Sequence, residues 1–172
     1  MKAIWINEDN YDLRTSKEHS HWYRSVQHVT CHLDAPPTYI DKAGRAYRWH
    51  PDFFCDQGSV PWLFQWAIPK DRFLGFYCHD TCYQFGGLWI RQPGETEFKF
   101  CRLPRIEADD LLHDMCLADP DPAMAATANM VWAAVRVGGA GSNYGSDPYG
   151  TTLIENPWHN GITCKQKQSV VE

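Results

Sequence analysis

The amino-acid sequence predicts an α+β fold: N-terminal antiparallel β-strands with a hairpin, then a three-helix core, then an irregular C-terminal tail. Three observations carry this. Residues 22–33 alternate bulky or apolar side chains with polar ones for much of their length, the period of a half-buried strand. Helix-start signals then recur at Asp71, Pro104 and Asp121-Pro122. From Gly138 onward the chain is rich in Gly, Ser, Asn and Pro.

The elements follow in order. Ala35-Pro36-Pro37 breaks the first strand region. Thr38-Tyr39-Ile40 and residues 45–49 flank Asp41-Lys42-Ala43-Gly44, a hairpin signal. Residues 56–61 read as a loop, and Trp62–Ile68 is a dense apolar run ended by Pro69. Asp71 can cap a first helix over about 72–85, which Gly86-Gly87 stops. Pro104 opens a second helix that ends near Asp119-Pro120. Asp121 caps a third, with Pro122 in its first turn, and Gly138-Gly139 end it. The expected organisation is one domain over 1–172: a β-rich part (1–60), a helical core carrying the site (61–138) and the tail (139–172).

The 172 residues are enough to bury a sizeable core. Sixteen Lys and Arg against 21 Asp and Glu give a net charge of -5, so no nucleic-acid partner is expected. No stretch reaches the ~18 apolar residues a membrane span needs, and residues 1–8 lack the apolar core and cleavage site of a signal peptide. The expected compartment is cytoplasmic. Seven cysteines, an odd number, argue against a fully paired disulfide framework and for buried free thiols.

The chemistry concentrates in Cys78-His79-Asp80-Thr81-Cys82-Tyr83 and Ala108-Asp109-Asp110-Leu111-Leu112. At 100° per residue, His79 and Tyr83 share one helix face, about 40° apart, and Asp80 points about 100° away. On the second helix Ala108, Leu111, Leu112, Met115 and Cys116 form an apolar stripe. Asp109 lies at its edge, while Asp110 and Asp114 face solvent. A carboxylate at the edge of a core needs donors, and the His79 ring N–H and the Tyr83 hydroxyl can supply them. That arrangement would fix the tautomer and leave the other ring nitrogen as a general base. The expected catalytic set is therefore His79, Asp109 and Tyr83. A cation held by Asp80, with Asp56 and the backbone around Gly58, would stabilise a developing oxyanion; calcium suits such oxygen ligands.

These residues carry a family resemblance. His79-Asp80-Thr81-Cys82-Tyr83 is similar to the His-Asp-x-Cys-Tyr signature of secreted-type phospholipase A2. Residues 108–115 resemble the following helix of its bacterial and fungal members, and Asp56-Gln57-Gly58-Ser59-Val60-Pro61 their calcium loop; the match spans 56–116. The layout over roughly 30–140 resembles a phage and prophage family, domain of unknown function 1353, with its Asp-Gly-x-Ser-x-Pro loop, His-Asp-x-x-Tyr helix and Ala-Asp helix. The resemblance implies a phage-derived, calcium-dependent ester hydrolase acting on a small-molecule or lipid ester, in the bacterial host's cytoplasm or associated with the virion. Gln57 stands where the loop usually has Gly, and Ala108 where the phospholipases have the disulfide partner of the Cys82 position.

Other readings stay open. The His79–Asp109 set could be a buried polar network that only orders the helices, in a structural or accessory phage protein with a phage partner. Asp56 could be a turn former. The 62–68 run could dock on lipid or be core. Cys78 and Cys82 could join Cys101 or Cys116 around zinc, although the spacing fits no strong zinc pattern. A metal-dependent phosphohydrolase would combine His50, His79, Asp80 and Asp109.

Overall fold

The computed structural model describes residues 2–6, 13–21, 24–31, 37–50, 52–55, 74–139 and 144–146. Six strands come first: β1 (Ile4–Ile6), β2 (Leu13–His21), β3 (Arg24–Cys31), β4 (Thr38–Ile40), β5 (Ala46–Arg48) and β6 (Asp52–Cys55). Helix α1 (Leu74–Phe85), strands β7 (Gly87–Arg91) and β8 (Lys99–Arg102), and helices α2 (Arg105–Leu117) and α3 (Pro122–Gly138) follow. The strands form two antiparallel sheets, a five-stranded one ordered β1-β4-β5-β7-β8 and a three-stranded one ordered β2-β3-β6. The fold is α+β, as the sequence predicts.

The β4–β5 hairpin is built around Asp41. Its carboxylate accepts from the backbone N–H of Ala43 (2.8 Å) and Arg45 (2.9 Å), from Arg45 Nε (2.7 Å) and from the Tyr47 hydroxyl (2.9 Å). Gly44 completes the turn at φ +84, a conformation that glycine adopts without a Cβ penalty. This side-chain anchoring of a tight turn is the local reason the chain reverses here.

The helical core expected over 61–138 is interrupted, because residues 87–102 form the β7–β8 hairpin. Leu88, Trp89 and Ile90 are all buried. A short continuous apolar run of that kind suits a strand covered on both faces. Gly86-Gly87 both ends α1 and starts β7: Gly86 takes φ +75 and donates to the Cys82 carbonyl at 2.7 Å. Gly87 then lies so close to the β8 backbone that a Cβ would strike the Cys101 carbonyl oxygen.

Helix α2 buries Ala108, Asp109, Leu112, Met115 and Cys116. Helix α3 starts where Asp121 accepts from the Ala123 N–H (2.9 Å), with Pro122 in the first turn, and buries Met124, Ala128, Val131, Ala134 and Val135. Together with Phe76, Cys78 and Cys82 of α1 and Tyr39, Tyr47 and Trp49 of the β4–β5 region, these faces make one core. Burying a side chain such as Leu112 contributes about 1.5–3 kcal/mol. The core thereby clamps α1 against α2, the pairing the site depends on. No helix among the described residues is long and apolar enough to cross a membrane.

Candidate active site

His79 and Tyr83 project from consecutive turns of α1 toward α2, as the four-residue spacing predicts. Their rings lie 4.4 Å apart, tilted by 37°. Both reach Asp109. His79 Nε2 stands 3.0 Å from Asp109 Oδ1, and the Tyr83 hydroxyl donates to the same oxygen at 3.0 Å. Asp109 has no solvent exposure, so it sits deeper than the edge of the stripe, and His79 is 7% exposed. A carboxylate so placed accepts and cannot donate, so the hydrogen on the imidazole belongs on Nε2. Nδ1 is buried and makes no hydrogen bond among the described residues.

Asp80 follows on the adjacent face, with its Oδ1 3.8 Å from His79 Nδ1. That is beyond hydrogen-bond length, yet close enough for its charge to act on the ring. Two influences oppose each other at His79. Burial favours the neutral ring, whereas the Asp109 hydrogen bond and the Asp80 carboxylate favour the imidazolium; the net effect raises its pKa above the ordinary 6.5. Burial pushes the Tyr83 phenol up to about 12, so it stays a donor. The thiols of Cys78, Cys82 and Cys116 are also raised by burial. They are free and buried, packing groups and not nucleophiles.

Two neighbours of the site were not evident from sequence. Arg105, the first residue of α2, places Nη1 3.7 Å from Asp109 Oδ2. Gly139, at the end of α3, approaches so closely that a Cβ there would strike the Tyr83 hydroxyl and come within 2.8 Å of Arg105 Nη1. The i,i+4 spacing of Arg105 and Asp109 was a usable signal for the first; Gly139 read only as a helix stop.

The remaining expected residues fall as follows. Asp56 and Gly58 lie outside the described residues, as does the 62–68 run. Among the described residues no group of three or more His, Cys, Asp or Glu gathers as a metal site, so Asp80 has no described carboxylate partner set for calcium, and Cys78, Cys82, Cys101 and Cys116 frame no zinc centre. His50 is wholly buried, its ring 4.8 Å from Phe85 and 5.0 Å from Trp89, and it shares no such donor cluster with His79, Asp80 and Asp109. Asp110 and Asp114 are exposed as expected, although Asp110 also accepts from Trp132 Nε1 (2.8 Å) and Arg136 (3.3 Å) of α3. A cavity of about 330 Å³ lined by Lys2, Tyr39, Asp41, Lys42, Arg45 and Asp114, among others, shares no residue with the His79 cluster.

No known protein family matches this chain, and no curated protein or solved structure does either.

Proposed function

We propose that the chain is a phage-derived hydrolase of the phospholipase A2 type, in which His79 activates water for attack on an ester, lipid esters included. One observation carries the reading: the buried Asp109 carboxylate receives both His79 Nε2 and the Tyr83 hydroxyl at 3.0 Å, while His79 Nδ1 is left without a hydrogen bond among the described residues. An orienting acid on one ring nitrogen and a lone pair on the other is the arrangement a general base requires.

In this mechanism Asp109 holds the ring and Tyr83 holds Asp109. His79 Nδ1 takes a proton from water as the oxygen attacks the carbonyl carbon. The resulting imidazolium is stabilised by Asp109 and returns the proton to the leaving alkoxide as the acyl C–O bond breaks. Asp80 contributes a carboxylate suited to calcium, and the loop around Asp56 and Gly58 would contribute further oxygens. Calcium, when bound, supplies positive charge to the developing oxyanion.

The test is hydrolysis of a panel of small-molecule and phospholipid esters, with calcium and with chelator, by wild type and His79→Ala. General-base catalysis predicts a loss of about 10²–10⁴-fold in the variant. Unchanged turnover in His79→Ala, or no hydrolysis of any ester by the wild type with calcium, overturns the reading.

A further inference from the structure

We propose that Arg105 is the positioning residue that fixes the Asp109 carboxylate, and through it the His79 ring, with Gly139 leaving the space that lets it do so. Oδ1 of Asp109 is engaged twice, by His79 and Tyr83, whereas Oδ2 is buried and makes no hydrogen bond among the described residues. An Asp carboxylate turns about a broad, twofold torsion. Two donors on one oxygen leave the plane of the group open to rotation. Arg105 supplies the second anchor: its guanidinium stands one turn before Asp109 on α2, with Nη1 3.7 Å from Oδ2.

Gly139 is the independent observation. Its backbone lies at φ -79 and ψ -8, ordinary helical values open to any residue, so no conformational demand explains glycine there. Space explains it. A Cβ at 139 would strike the Tyr83 hydroxyl and come within 2.8 Å of Arg105 Nη1. The end of α3 therefore backs Tyr83 and Arg105, the two groups that flank Asp109.

The consequence for turnover rests on the hydrolytic reading, but the primary readout does not. The ring-nitrogen NMR shifts of His79, recorded at alkaline pH where the ring is neutral, report which nitrogen carries hydrogen. In wild type the hydrogen sits on Nε2. In Arg105→Gln the signals move toward a mixture of tautomers, and Arg105→Lys restores them. Gly139→Ala keeps every charge in place yet displaces the same two groups, and it shifts the signals in the same direction. Circular dichroism and thermal unfolding establish that each variant is folded. If the ester activity is present, kcat in Arg105→Gln falls by about 100-fold, with KM little changed. His79 signals identical to wild type in folded Arg105→Gln overturn the proposal, and if that variant does not fold, unmoved signals in Gly139→Ala do so. Moved signals without any ester hydrolysis would keep Arg105 in this role and remove only the reaction.

Discussion

His79 and Tyr83, one turn apart on α1, converge on a single atom: Oδ1 of Asp109 lies 3.0 Å from each of them. The carboxylate comes from a different helix, thirty residues on, and is wholly buried. This convergence ties the stability of the α1–α2 contact to the same groups that would do chemistry.

Removing the Tyr83 hydroxyl tests that tie. Tyr83→Phe deletes one donor and leaves the His79 contact to satisfy Oδ1. We expect a loss of about 0.5–1.5 kcal/mol, the usual net worth of one such bond. Urea unfolding measures it, and a midpoint equal to wild type would mean the bond is not made in solution.

Asp109→Asn tests the orienting role. The amide can donate to the ring and impose the other tautomer, the change that disables a general base most directly. Ester hydrolysis is expected to fall by about 10²–10⁴-fold. Stability should fall by about 1–3 kcal/mol, because Arg105 and His79 lose a buried carboxylate. Hydrolysis within a few-fold of wild type would contradict the orienting role.

The pH dependence has a defined sign. Burial works against protonation of His79, but Asp109 and Asp80 outweigh it and raise the folded-state pKa above 6.5. The folded chain thus holds this proton more tightly than the unfolded chain does. The stabilisation is fully present below about pH 6.5 and is lost as pH rises through the raised folded value. Hydrolysis needs the neutral ring, so it should climb over the same interval. Denaturant midpoints and initial rates from about pH 5 to pH 9 should slope in opposite directions. A wild-type minus His79→Gln stability difference that grows with pH would reverse the assignment.

The Asp41 turn gives a prediction independent of the site. Burial raises its pKa, but the backbone and side-chain bonds from Arg45 and the bond from Tyr47 more than offset this and hold the carboxyl below its ordinary 3.8. Its contribution is present above that pH and fades as acid protonates it. Asp41→Ala strands the Ala43 and Arg45 N–H groups and the Tyr47 hydroxyl, and should cost about 1–3 kcal/mol. Because Tyr47 belongs to the shared core, the loss should register in global unfolding. A change confined to exchange of the turn amides would show the hairpin to be uncoupled.

Much of this arrangement was legible in the chain. Asp121-Pro122 and Gly138-Gly139 bracket α3 because capping and proline preferences are local, and His79 and Tyr83 share a face because helical geometry is periodic. The place of Asp109 beside Leu112 and Cys116 pointed to the edge of the core, whereas the fold buries it completely. The β7–β8 hairpin has no local signature, because Gly86-Gly87 serves two purposes and only its use as a helix stop is a local signal. Pairing of Leu88-Trp89-Ile90 with β5 and β8 is long-range. Gly139 was opaque for the same reason, since its small size answers to Tyr83 and Arg105, which are distant in sequence.

The closed base of the β7–β8 hairpin has an evolutionary corollary. Leu103 N–H donates to the Gly86 carbonyl at 3.1 Å, and Gly87 sits opposite Arg102, so the chain leaves α1 and enters α2 through one stitched neck. Length changes at the exposed tip, residues 92–97, can accumulate without moving the imidazole relative to its acid. A single-residue slip at the neck would instead reset the start of α2 and carry the acid away from its partners.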